Sequence, residues 1–129
     1  MSERNYESTK NSEVIKRFLD FVSSSEDRYK FEQEIIETEN KRTQDLLHAI
    51  EFEPHAEARS KTATKLKASR KLRRESKDIA EELEPIIDFL AVPGNRKVIN
   101  QLGQVLGQVR KAEKYHTNRK YFPRVEGWR

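Results

Sequence analysis

Cysteine is absent from this chain of 129 residues. That excludes a disulfide framework, a thiolate nucleophile and a cysteine zinc site. Long apolar runs are absent too. No stretch approaches the roughly 18 apolar residues of a membrane span, so no membrane partner is expected. No glycine-rich loop follows a strand pattern, and no Ser/His/Asp nucleophile context exists. The sequence therefore makes no case for an enzyme, a catalytic residue or a cofactor. Apolar content is low as well, at 34% against 37% charged residues. A compact globule with so thin a core would be marginal; a helical bundle needs less core per residue.

What is present is charge, sorted into blocks. Residues 1–57 hold 8 basic and 14 acidic side chains, and residues 58–77 hold nine basic and one acidic. Residues 78–95 hold five acids and no Lys or Arg, and residues 96–129 hold nine basic and two acidic side chains. The net charge of +4 hides this segregation. A segregated chain has a defined binding face, or blocks that neutralise one another in the fold.

Apolar periodicity predicts an all-α fold with four helices. The first covers about 12–23, with Ser12 as its N-cap and Val14, Ile15, Phe18, Leu19, Phe21 and Val22 on a broad apolar face. Ser23, Ser24 and Ser25 are expected to end it and to cap a second helix over about 26–53. The middle of that helix, Glu37 to Gln44, is polar and left to solvent or a partner. Pro54 stops it.

The third helix, about 55–91, carries a narrow seam of coiled-coil type: Leu72, Ile79 and Ile86 with Ser76, Leu83 and Leu90. Pro93-Gly94 is expected to turn the chain back into a fourth helix, about 95–116. Its seam is Val98, Val105 and Ala112 with Leu102 and Val109, widened by Ile99 and Leu106. The predicted architecture is an elongated helical bundle built on a long antiparallel hairpin, with Leu83 near Val105 and Arg74 near Lys114. Residues 1–11 read as a flexible start. Residues 117–129 read as an extended basic and aromatic tail, which Pro123 and Gly127 keep from being helical.

This hairpin brings the two basic runs to one end. Arg70, Lys71, Arg73, Arg74, Lys77, Arg110, Lys111, Lys114, Arg119, Lys120 and Arg124 would face phosphates, with Tyr121 and Phe122 stacking or packing. The competing reading is that Glu32, Glu34, Glu37 and Glu39 pack alongside and neutralise the patch. Gly103 and Gly107 lie four apart, and each costs a helix about 1 kcal/mol relative to alanine. Close approach of another helix is the commoner reason for such a pair; a partner against the polar strip is the sharper one.

Asp45-x-x-His48 and Glu113-x-x-His116 have the spacing of half a di-iron site, but no inward glutamates complete it, and surface capping is the reading taken. Glu34-x-x-Glu37 and Glu81-x-x-Glu84, with Glu82 and Asp88, have the spacing of Mg²⁺ sites in all-helical nucleotide pyrophosphohydrolases. The seam leaves most of these acids outward. No metal site is assigned.

The stretches RTQDLLHAIEF (42–52), KLRRESKDIAEELEPIIDFL (71–90) and INQLGQVLGQVRKAEKYHTNRKYFPRV (99–125) resemble small helical proteins carried by temperate phages and prophages of low-GC Gram-positive bacteria. The resemblance covers about residues 40–125. It implies a small phage product acting on DNA, on a phage replication or packaging complex, or on a host defence system. It assigns no residue a role. The lack of cysteine, of a membrane span and of a signal segment makes the cytoplasm, here of a bacterial host cell, the expected location.

The leading expectation is a non-enzymatic protein whose partner is a nucleic acid or a nucleic-acid-bound protein. A protein–protein interaction module is the alternative, and a metal-dependent nucleotide hydrolase a remote one. The sparse apolar seam also makes a homo-oligomer an expected option, because two copies bury what one cannot.

Overall fold

The computed structural model describes residues 9–119. Its described residues fold into three helices: α1 (Asn11–Phe52), α2 (Ala56–Ala91) and α3 (Pro93–Asn118). They fall into two compact units. One combines α1 up to Phe21 with α3 from Gly94; the other combines α1 from Val22 with α2. The all-α class and the bundle are as the periodicity predicts. The number of helices is not.

Sequence reading splits α1 at Ser23–Ser25, but the helix runs through all three serines. No glycine or proline interrupts Asn11–Phe52, so nothing forces the backbone out of the helix. Ser25 is fully buried. The shielded positions along α1 step by alternating threes and fours, as a coiled-coil stripe does: 12, 15, 19, 22, then 25, 29, 32, 36, 39, 43, 46 and 50. One irregularity occurs at 19–22–25, where two threes follow each other. The serines therefore mark a shift of the buried stripe, at the boundary of the two units, and not a break in the helix.

In the α1–α2 unit the chain turns at Glu53-Pro54-His55. Arg59 Nη1 donates to the carbonyls of Glu53 and Pro54, each at 2.9 Å, which satisfies carbonyls exposed at the end of α1. Further along, Ser69 Oγ donates to Glu39 Oε1 at 2.8 Å and lies 3.3 Å from Thr43 Oγ1. Since the Ser69 proton is committed to Glu39, Thr43 is the donor in the second contact. These bonds fix α2 antiparallel to α1.

The seam of α2 differs from the expected one. Ser76, Leu83 and Leu90 are buried as predicted. The companion row is Leu66, Arg73, Ala80 and Ile87, not Leu72, Ile79 and Ile86. Leu72 is 42% exposed and Ile79 36%. The reason lies in α1. Its polar centre presents Glu39 and Thr43, and α2 meets them with Ser69, the middle of the hydroxyl row Thr62, Ser69 and Ser76. Pairing polar with polar turns Leu72 and Ile79 to the flank.

The link to α3 is a single extended residue, Val92, at φ −77° and ψ 118°. Pro93 opens α3, where its missing N–H is no loss. The expected turn over 91–95 is thus shorter, and Pro93-Gly94 belong to the helix.

In the unit of α1 and α3, Ser12 Oγ donates to Glu113 Oε1 at 2.6 Å, and Ser12 N–H donates to Glu113 Oε2 at 3.1 Å. Ser12 sits inside the first turn of α1, not at its cap: Glu13 N–H already reaches the Lys10 carbonyl at 3.1 Å. A carboxylate from α3 thus caps a free N–H at the positive end of α1. The shielded stripe of α3 runs Asn95, Ile99, Leu102, Leu106, Val109 and Glu113. Leu102 and Val109 lie within the stripe as expected. Val98, Val105 and Ala112, expected in the seam, are exposed. α3 also continues to Asn118, so Thr117 and Asn118 are helical and not part of a tail.

The Ser12 hydroxyl is the main reason the Glu113 carboxyl is held below its ordinary value near 4.5, followed by the Ser12 N–H. Desolvation opposes this, and Lys10 and Arg110 assist it. A lowered folded-state pKa stabilises the fold above the unfolded value, and the contribution is lost as pH falls through the folded value. Glu113→Gln should therefore lower the unfolding midpoint at neutral pH, with the gap to the parent closing in acid. Thermal melts across a pH series check this.

Candidate nucleic-acid interface

Helical spacing puts Arg70, Arg74 and Lys77 on one flank of α2, with Arg73 beside them at the seam. In the α1–α2 unit this flank faces Asn40, Thr43 and Gln44 of α1 across a groove of about 690 Å³. Asp78 and Glu81 form its far end. Two features noted separately in the sequence, the basic run and the polar middle of α1, thus form two walls of one site.

The α1 carboxylates that could neutralise this wall are engaged elsewhere or exposed. Glu39 is only 3% exposed and bonds Ser69, with Arg42 Nε 3.3 Å away. Glu37 pairs with Lys41 at 3.6 Å. Glu34 is exposed. Among the described residues, no ion pair engages Arg70, Arg73, Arg74 or Lys77. Asp78 and Glu81 offset two of the four charges without pairing to them.

Arg73 carries a further signal. Its Nε is buried and has no hydrogen-bond partner. Leaving a buried donor unsatisfied costs about 1–3 kcal/mol. In the same helix pair Glu32 Oε2 is also buried and unpaired, so the two orphaned groups do not compensate each other. Arg73 also lines the groove.

The chain matches no known protein family, no curated protein and no solved structure. The site is therefore read from its own chemistry.

The remaining predicted residues are distributed as follows. Lys71 lies on α2 but does not line the groove. Arg110, Lys111 and Lys114 belong to α3, in the other unit. There Arg110 and Lys114 share a depression with Lys10, His116 and Thr117, beside the Ser12-bonded Glu113. Arg119 is exposed just past α3. Lys120, Tyr121, Phe122 and Arg124 lie outside the described residues. Lys10 had no signal in the sequence. Asn40, Thr43 and Gln44 belong to the polar stretch that the sequence leaves to solvent or a partner.

The histidine pairs have simple surroundings. His48 stacks on Phe52 at 6.4 Å, and His116 meets Tyr115 edge-on at 5.8 Å. Glu113 is committed to Ser12. Glu34, Glu37, Glu81, Glu82, Glu84 and Asp88 all occupy exposed positions. Among the described residues, no group of three or more His, Asp or Glu side chains is placed to hold a metal.

The glycine pair changes meaning. A Cβ built at Gly103 or Gly107 meets nothing within 4 Å. Close approach of another helix of this chain, the commoner expectation, is not what these glycines serve. Gly103→Ala and Gly107→Ala should each raise stability by up to about 1 kcal/mol through helix propensity alone. Urea unfolding of the two variants checks this.

Proposed function

We propose that this chain is a non-enzymatic nucleic-acid-binding protein that holds a sugar–phosphate backbone in the α1–α2 groove. The observation that carries the reading is four basic side chains on one wall of the groove, none ion-paired among the described residues. Arg70, Arg74 and Lys77 contact phosphates, and Asn40 and Gln44 supply neutral hydrogen bonds on the facing wall. Among the described residues, no aromatic side chain lines the groove. That favours backbone contact over base stacking, and so little sequence preference. In the setting that the phage resemblance implies, the nucleic acid is held free or on a bound host nuclease.

Phosphate binding has a quantitative signature. Three or four contacts give a log–log salt slope of roughly −3 to −4 on duplex DNA. Anisotropy titrations of labelled duplex DNA, single-stranded DNA and RNA over a salt series test it. Absence of binding to all three at the lowest salt would sink the proposal. Capture of a host protein that survives nuclease treatment would then favour the protein–protein module.

A further inference from the structure

The flank of α2 opposite the cationic groove carries a second heptad row that the described residues leave largely uncovered. Ala68, Leu72 and Ile79 are exposed and Ile86 is half-buried. Leu72 and Ala68 join Leu46 of α1 in a shallow apolar groove edged by Arg42 and Lys65. The row is charged asymmetrically. Lys61 and Lys65 lie at its start, Glu75 and Glu82 towards its end, all exposed.

We infer that this row takes a second copy of the chain, packed antiparallel about a two-fold axis between Leu72 and Glu75. Heptad geometry, in which the two rows of an antiparallel seam alternate across it, allows an axis there, and this axis is the one that sets Lys65 against Glu82. Lys65 then stands opposite the partner's Glu82, Ala68 opposite the partner's Ile79, Leu72 opposite the partner's Glu75 and Ile86 opposite the partner's Lys61. A parallel pairing sets Lys65 against itself and Glu82 against itself, which like-charge repulsion disfavours. The basic start of the row therefore meets the acidic end of its own reverse at Lys65 and Glu82. This is the condition for an isologous interface.

The surface is independent of the phosphate groove. Arg70, Arg74 and Lys77 lie on the other flank of the same helix, so a dimer leaves both grooves open. Two open grooves per particle would add avidity on a polynucleotide long enough to span them. The inference does not rest on nucleic-acid binding, and its test contains no nucleic acid.

Sedimentation equilibrium on the full chain over a hundredfold concentration range reads the mass directly. The expected result is a rise from the 15.3 kDa monomer to twice that mass. Lys65→Glu alone and Glu82→Lys alone should each remain monomeric, because each sets like charges together. An equimolar mixture of the two variants should dimerise, since each copy then complements the other. Both substitutions are at exposed positions, and circular dichroism confirms that each variant is folded. A parent chain that stays monomeric throughout, single variants that dimerise like the parent, or a mixture that stays monomeric would overturn the inference.

Discussion

Replacing Arg70, Arg74 and Lys77 together with glutamine should weaken polynucleotide binding about 100-fold or more at 0.1 M salt. Each phosphate contact releases counterions worth roughly a factor of ten at that ionic strength, so three lost contacts multiply. The salt slope should flatten by about three at the same time, because it counts neutralised phosphates. A matched control separates a groove from general adhesion. Lys67 and Lys71 lie on the same helix and do not line the groove. Replacing both with glutamine removes nearly as much charge, yet should cost only a few-fold. Equal losses per charge removed in the two variants would show that net charge, and not this groove, drives binding. All five positions are exposed, so the fold should survive, and unchanged melting midpoints confirm it.

Leu83→Ala should cost about 2–5 kcal/mol of stability, the range for a leucine deleted from a packed interior. Leu83 is 3% exposed in the α1–α2 unit. So thin a core has few residues to share the loss, and a chain of this size should melt roughly 10 °C lower. Leu72→Ala provides the contrast. Leu72 is 42% exposed and has already lost much of its burial energy to solvent, so its truncation should cost under about 1 kcal/mol in the monomer. The apolar pattern alone ranks the two as equals in one seam. Chemical unfolding at low protein concentration decides between the two rankings. Equal losses would mean that α2 is rotated to the register the sequence first suggests.

That rotation shows where reading the sequence stops. The helical class, the stop at Pro54, the helix over Ala56–Ala91 and the inward row of Ser76, Leu83 and Leu90 all follow from local pattern. Continuity through Ser23–Ser25 does not, because serine is as good a cap as it is a small buried residue, and only tertiary packing decides. Apolar continuity favours Leu72 and Ile79 as the companion row of α2. The match that overrides it, Ser69 with Glu39 and Thr43, joins residues far apart in the chain. For the site, Arg70, Arg74 and Lys77 were legible because charge clustering is a local property. Their facing wall was not, nor was the buried state of Arg73, since both depend on which helix packs against α2. The sequence places the α2 and α3 basic runs in one patch. They belong to separate units.

Thr62, Ser69 and Ser76 recur every seven residues along α2. Glu39 selects the middle one, but a slide of one heptad in either direction would still offer it a hydroxyl. The α1–α2 alignment is thus degenerate at its polar layer, with three near-equivalent notches for one key. What removes the degeneracy is the brevity of the Glu53-Pro54-His55 turn and the Arg59 clasp on it. A slide of seven residues displaces a helix by about 10 Å, more than so short a clasped turn can absorb. Alignment of the two helices is therefore set at the bend, and not along their shared length.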